Sequence, residues 1–137
     1  MKNNDYNATI SWSTKELNLS EILFIKGGPD AVTIDKALED ADSLIVDVDF
    51  ICVTNVHNER ANGDKDYKVI YIIDKNGMTY KSSSESLLNS IEDIEDILSD
   101  NEALISDYPI KIYGMPSKKY TGKFFYKASV LLKKEEN

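Results

Sequence analysis

The dipeptide Asn76-Gly77 stands between two strand-like runs, Tyr67 to Ile73 and Met78 to Lys81. Asparagine and glycine accept positive φ more readily than other residues, so the pair predicts a type I′ turn closing an antiparallel hairpin. A longer run, Leu44 to Val56, precedes it. There Val46, Val48, Phe50, Cys52 and Val56 alternate with polar residues, placing them on one side and Asp47, Asp49, Asn55 and His57 on the other. The polar stretch Asn58 to Asp66, with Asn62-Gly63-Asp64 inside it, reads as the connecting loop.

After the hairpin, Leu87, Leu88, Ile91, Ile94, Ile97 and Leu98 recur at helical spacing, with Glu92, Asp93, Glu95 and Asp96 outward. Ser82 and Glu85 have the spacing of a capping box at its start. Two more strands are expected at Tyr108 to Tyr113 and Lys123 to Leu132. Three strands, a helix and two strands is the element order of an OB-fold barrel, a fold that binds oligonucleotides on its second and third strands and with the loops joining strands one to two and four to five. An α+β sheet with the helix on one side has the same order. The expected fold is mainly β: a five-stranded OB barrel over residues 44–132, an N-terminal helical and irregular extension over 1–43, and a short charged tail over 133–137. In the extension, weak helical patterns around Leu17–Phe24 and Thr33–Leu38 are broken by Gly27-Gly28-Pro29.

Charge is distributed unevenly. The 137 residues carry 16 Lys+Arg against 24 Asp+Glu, a net charge of −8 that argues against a polyanionic partner. Residues 1–64 hold 5 basic and 12 acidic residues and 65–107 hold 4 and 10, but 108–137 hold 7 basic and 2 acidic. A basic segment on an acidic protein points to a polyanion-binding face, or else to a lysine-rich solvated hairpin. No apolar run reaches the roughly 20 residues of a membrane span and no signal-peptide core is present, so a cytoplasmic protein with no membrane partner is expected.

Catalytic chemistry finds little support. One Cys and one His exclude an internal disulfide and a Cys/His zinc centre. Asp47 and Asp49 alternate with apolar residues, as the wet face of a half-buried strand does, and Cys52 falls on the apolar side. His57 next to Glu59 lacks a nucleophile at a meaningful spacing. Gly122-Lys123 has Ser117 where a phosphate loop needs its first glycine, and Phe124 where it needs Ser or Thr. Neither an enzyme, nor a metal, nor a cofactor is expected.

Binding residues are more evident. Lys111, Lys118, Lys119, Lys123 and Lys127 interleave with Tyr113, Tyr120, Phe125 and their neighbours, Phe124 and Tyr126 having the alternation of core residues. Cations that follow phosphates and rings that stack on bases are what single strands require. Tyr67, Tyr71 and, across the hairpin, Tyr80 form either a second stacking platform or a cross-strand aromatic cluster. Arg60 and Lys65 lie in the loop before them.

The run from Asp66 to Tyr80, the serines 82–84 with their helix, and Pro116-Ser117-Lys118-Lys119-Tyr120-Thr121-Gly122-Lys123-Phe124-Phe125 resemble small OB-fold single-stranded DNA-binding proteins of phages and conjugative plasmids of Gram-positive bacteria. The resemblance covers about residues 44–132. It implies non-catalytic, largely sequence-independent binding of single-stranded DNA (or RNA) in replication, recombination or transfer of such an element, in a bacterial cytoplasm. Segment 1–43 exceeds a bare barrel and is expected to cover one of its ends or to mediate self-association. The competing expectation is an acidic interaction module, an inhibitor or DNA mimic, presenting Glu92, Asp93, Glu95, Asp96, Asp40, Asp42, Asp47 and Asp49 to a host protein.

Overall fold

The structure is a computed structural model that describes residues 6–116 and 124–132. It is mainly β, a strongly curled half-barrel sheet with few helices. In chain order the elements are β1 (Tyr6–Ser13), α1 (Leu19–Lys26), β2 (Val32–Thr33), α2 (Ile34–Ala37), β3 (Ser43–Asn58), β4 (Asp66–Asp74), β5 (Thr79–Ser82), α3 (Glu85–Asp100), β6 (Pro109–Pro116) and β7 (Phe124–Val130). The sheet has seven strands in place of the expected five, in the order β2-β5-β4-β3-β6-β7, with β1 also paired to β3.

β3 is the hub. One of its edges carries β4, from Val48↔Asp74 to His57↔Asp66. The other carries β6 along Ser43–Asp47 and then passes to β1 along Cys52–Asn58. The register of β3 against β4 slips between Val48 and Phe50. Such a bulge exchanges the two faces of a strand. The single apolar face expected for β3 is therefore divided: Val46 and Val48 join Ile51 and Val53 in one core, while Phe50, Cys52 and Val56 enter another.

The first core lies between the curled sheet and α3, where Ile70, Ile72, Ile110 and Ile112 meet Leu87, Leu88 and Ile91. The second lies on the opposite face of β3 and β4. There Val69, Tyr71 and Ile73 are covered by Ile25 of α1 together with Ala8, Ile10 and Leu17. The N-terminal segment is thus a layer of the fold: β1 supplies a strand, and the two helical patterns become α1 and α2. Asn18 caps α1 with a reciprocal capping box to Glu21, both bonds being 2.9 Å.

Two local expectations are corrected. The β4–β5 connection has one positive φ, at Gly77 (89°), where a type I′ turn needs two. Asp74 Oδ1 accepts from the amides of Asn76 and Met78, each at 2.8 Å, and the Gly77 amide donates to the Asp74 carbonyl at 3.0 Å. This is a type I turn closed by a glycine bulge. The N-cap of α3 is Ser84, whose Oγ accepts from the Leu87 amide at 3.1 Å; Ser82 Oγ accepts instead from the Ser84 amide.

The sheet ends differently on its two sides. β5 holds β2 in parallel along its outer edge. β7 meets α3 instead of a strand. Ser90 Oγ accepts from the Ala128 amide and donates to the Ala128 carbonyl, both at 2.9 Å, and Ser86 Oγ accepts from the Tyr126 amide at 3.1 Å. Two hydroxyls one helical turn apart thereby satisfy backbone groups that a neighbouring strand would otherwise take. Among the described residues, no helix is long and apolar enough to cross a membrane.

Candidate functional site

β6 and β7 pair with Lys111 opposite Ser129, Tyr113 opposite Lys127, and Met115 opposite Phe125. Alternation places these six side chains on one surface of the hairpin. Ile110, Ile112, Tyr126 and Ala128 turn the other way, into the first core. On the outer surface Lys111 and Lys127 are exposed, while Tyr113 and Phe125 are half-buried. Lys111 Nζ lies 5.9 Å from the centre of the Tyr113 ring, and Lys127 Nζ lies 6.0 Å from that of Phe125. At the outer limit of cation–π attraction, these contacts orient the lysines without removing their ammonium groups from water. β3 extends the surface with Ile45, which pairs with Lys111 and is 60% exposed. Lys118, Lys119, Tyr120 and Lys123, on the connection from β6 to β7, lie outside the described residues.

On the other side of β7 a cleft of about 660 Å³ opens among β4, β5, α2 and the start of β7. Tyr6, Tyr67, Tyr71 and Tyr126 line it, together with Lys81 and Asp35. Tyr71 is buried and forms part of the floor, whereas Tyr6 is 43% exposed. Burial, and after it Tyr67, raises the Tyr6 hydroxyl above its ordinary pKa; burial and then Tyr6 and Tyr67 do the same to Tyr71. The Tyr126 hydroxyl donates to Asp35 Oδ1. Burial and that bond push its pKa up to about 12, so it remains a donor through the neutral range.

Tyr80 is absent from this group. It pairs with Ile72 and packs against the first core, on the opposite face from Tyr67 and Tyr71, so the expected tyrosine trio is a pair. The turn is the reason. A two-residue turn would set Tyr80 opposite Ile73, but the glycine bulge moves the pairing by one residue, and a one-residue slip reverses every side chain. Lys81, which pairs with Tyr71, takes the position expected for Tyr80.

Arg60 and Lys65 are exposed in the 59–65 loop beside Tyr67. Lys65 Nζ donates to the Glu59 carbonyl at 2.7 Å, and the Arg60 amide donates to Asn58 Oδ1 at 3.0 Å. His57 ties the ends of this loop: its Nδ1 lies 2.6 Å from Asp66 Oδ1, and its Nε2 meets Glu59 Oε2. The Asp66 bond first and the Glu59 bond second hold the imidazole pKa above 6.5.

Tyr6, Lys81, Asp35 and the cleft-facing role of Tyr126 were not among the sequence candidates. The alternation Ala8, Ile10, Trp12 carried a signal for β1, and with it for Tyr6. Among the described residues no group of three or more His, Cys, Asp or Glu side chains is disposed to hold a metal ion. Asp47 Oδ1 instead lies 3.4 Å from Lys75 Nζ. The acidic face of α3 has its own feature, a hollow of about 380 Å³ lined by Trp12, Glu92, Asp93, Glu95 and Asp96. No family model matches the chain, and no curated protein or solved structure matches it.

Proposed function

We propose that this protein binds single-stranded DNA, without catalysis and with little dependence on sequence, as a component of the replication, recombination or transfer machinery of a bacterial mobile element. The observation that carries this reading is the outer surface of β6 and β7, where Lys111 and Lys127 alternate with Tyr113 and Phe125. In the sequence the same mixture of cations and rings recurs at Lys118, Lys119, Tyr120 and Lys123. Cations can follow the phosphates of an unpaired strand while rings stack on its bases, each stacked base contributing about 1–3 kcal/mol.

The topology supports the same reading. β3, β4, β5, α3, β6 and β7 follow one another as the five strands and single helix of an OB barrel do, with strand one paired to strands two and four. The seam such a barrel closes between strands three and five is occupied here by β2 along β5 and by α3 along β7. Fluorescence anisotropy of a labelled deoxythymidine 20-mer at low salt tests the proposal. Binding that weakens steeply as salt rises is expected. No binding at micromolar protein, or binding indifferent to salt, overturns it.

A second reading, a protein-interaction module, rests on the Trp12 hollow and its acidic rim. It requires a host partner that stays bound after nuclease treatment and is lost on Asp93→Lys.

A further inference from the structure

The cleft behind β7 differs from the outer hairpin surface in one chemical respect: a carboxylate faces its rings. Tyr6, Tyr67 and Tyr126 offer partly open aromatic surface, Tyr71 closes the floor, and Lys81 stands in register beside Tyr71. About 660 Å³ is ample for one nucleotide and falls within the range of small-ligand sites, about 300–1,000 Å³. Asp35 is the acid of this lining. The Tyr126 hydroxyl fixes it through Oδ1, and Oδ2 has no hydrogen-bond partner among the described residues.

A carboxylate only accepts hydrogen bonds, so it sorts bases by the donors they present. Thymine offers one N–H flanked by two carbonyl oxygens, which a carboxylate repels. Cytosine and adenine each offer an exocyclic amine next to a bare ring nitrogen. Guanine alone presents two adjacent donors, N1–H and the N2 amine, spaced to meet both oxygens of one carboxylate. Oδ1 has a second lone pair after accepting from Tyr126, so the bidentate pairing remains open.

We propose that the cleft is a guanine subsite, in which the base of a bound single strand stacks on tyrosine, pairs its Watson–Crick edge with Asp35, and sets its phosphate near Lys81. This rests on the proposed single-strand binding and adds to it one position at which base identity counts. A well-formed bidentate contact discriminates by about 1–3 kcal/mol, which is about 5- to 150-fold.

The test compares a labelled deoxythymidine 20-mer with the same strand carrying one central dG, and with one carrying a central dA. The dG strand is expected to bind at least 5-fold more tightly than the all-thymidine strand, and more tightly than the dA strand. In Asp35→Asn the dG-to-dT affinity ratio should fall to within 2-fold of one. Tyr126→Phe, which removes the hydroxyl that orients Asp35, should lower the ratio partway. Circular dichroism and urea unfolding of both variants establish that each is folded. If the all-thymidine strand binds but dG confers no gain, the subsite is wrong while the proposed function stands. A gain that survives in folded Asp35→Asn also overturns the subsite. If no strand binds, the proposed function fails and the subsite with it.

Discussion

Replacing Ser90 with alanine sets two effects of opposite sign against each other. Ser90 lies within α3, and on helix propensity alone alanine should stabilise the protein by about 0.5 kcal/mol. Its hydroxyl, however, makes two hydrogen bonds of 2.9 Å to the backbone of Ala128, on the edge of β7 that no strand covers. At about 0.5–1.5 kcal/mol net for each bond, their loss costs about 1–3 kcal/mol. The edge should win, leaving Ser90→Ala less stable by about 0.5–2.5 kcal/mol in urea unfolding. Ser86→Ala, which loses a single backbone bond at this edge, from the Tyr126 amide, should cost less. Native-state hydrogen exchange locates the effect, since the Ala128 amide should lose protection in Ser90→Ala. A neutral or stabilising Ser90→Ala, with Ala128 exchange unchanged, would refute the view that α3 closes this edge.

Other outcomes follow from single features. Lys111→Gln combined with Lys127→Gln should leave the fold intact, because both side chains are exposed, and should reduce the log–log salt slope of single-strand binding by about 1.4. An unchanged slope would remove the β6–β7 surface from the binding site. His57 should titrate above its ordinary 6.5 in NMR, with Asp66→Asn lowering the midpoint. Because its folded pKa is raised, the stability it contributes is fully present below the unfolded value and is lost as pH rises through the folded one. The Cys52 thiol is fully buried and pushed up to about 11, so Ellman's reagent at pH 8 should modify the unfolded chain and leave the native protein untouched. Rapid native modification would contradict the second core.

What could be read in advance follows a physical division. α3 was legible because its period is strong and independent of what it packs on; only its cap moved, since three consecutive serines offer the same hydroxyl and geometry chooses among them. The hairpin at Gly77 was legible in position and misread in type. The Asp74 carboxylate recruits two amides and converts the turn, and that one-residue change carried Tyr80 out of the candidate site and Lys81 into it. The split of β3 between two cores depends on a bulge that no local pattern announces. Asp35 and Tyr126, ninety-one residues apart, meet only when the chain has folded. Strand period was enough to put Lys111 with Tyr113 and Phe125 with Lys127, and the register of β6 against β7 joined the two pairs on one surface.

The position of β3 also governs the order in which a growing chain can become native. When Asn58 has left the ribosome, β3 can already pair with β1, and β4 follows within a few residues. The stretch Ser43–Asp47 must wait until β6 has been made, since its partners are Tyr113 back to Pro109. During that interval Leu44, Ile45 and Val46 form an open apolar edge, the kind of segment that recruits other chains. Asp40 and Asp42 immediately before it, and Asp47 and Asp49 within and after it, place repelling charge around that edge. Carboxylates that the sequence offers as a docking face thus also have the placement of gatekeepers around a strand whose partner arrives late.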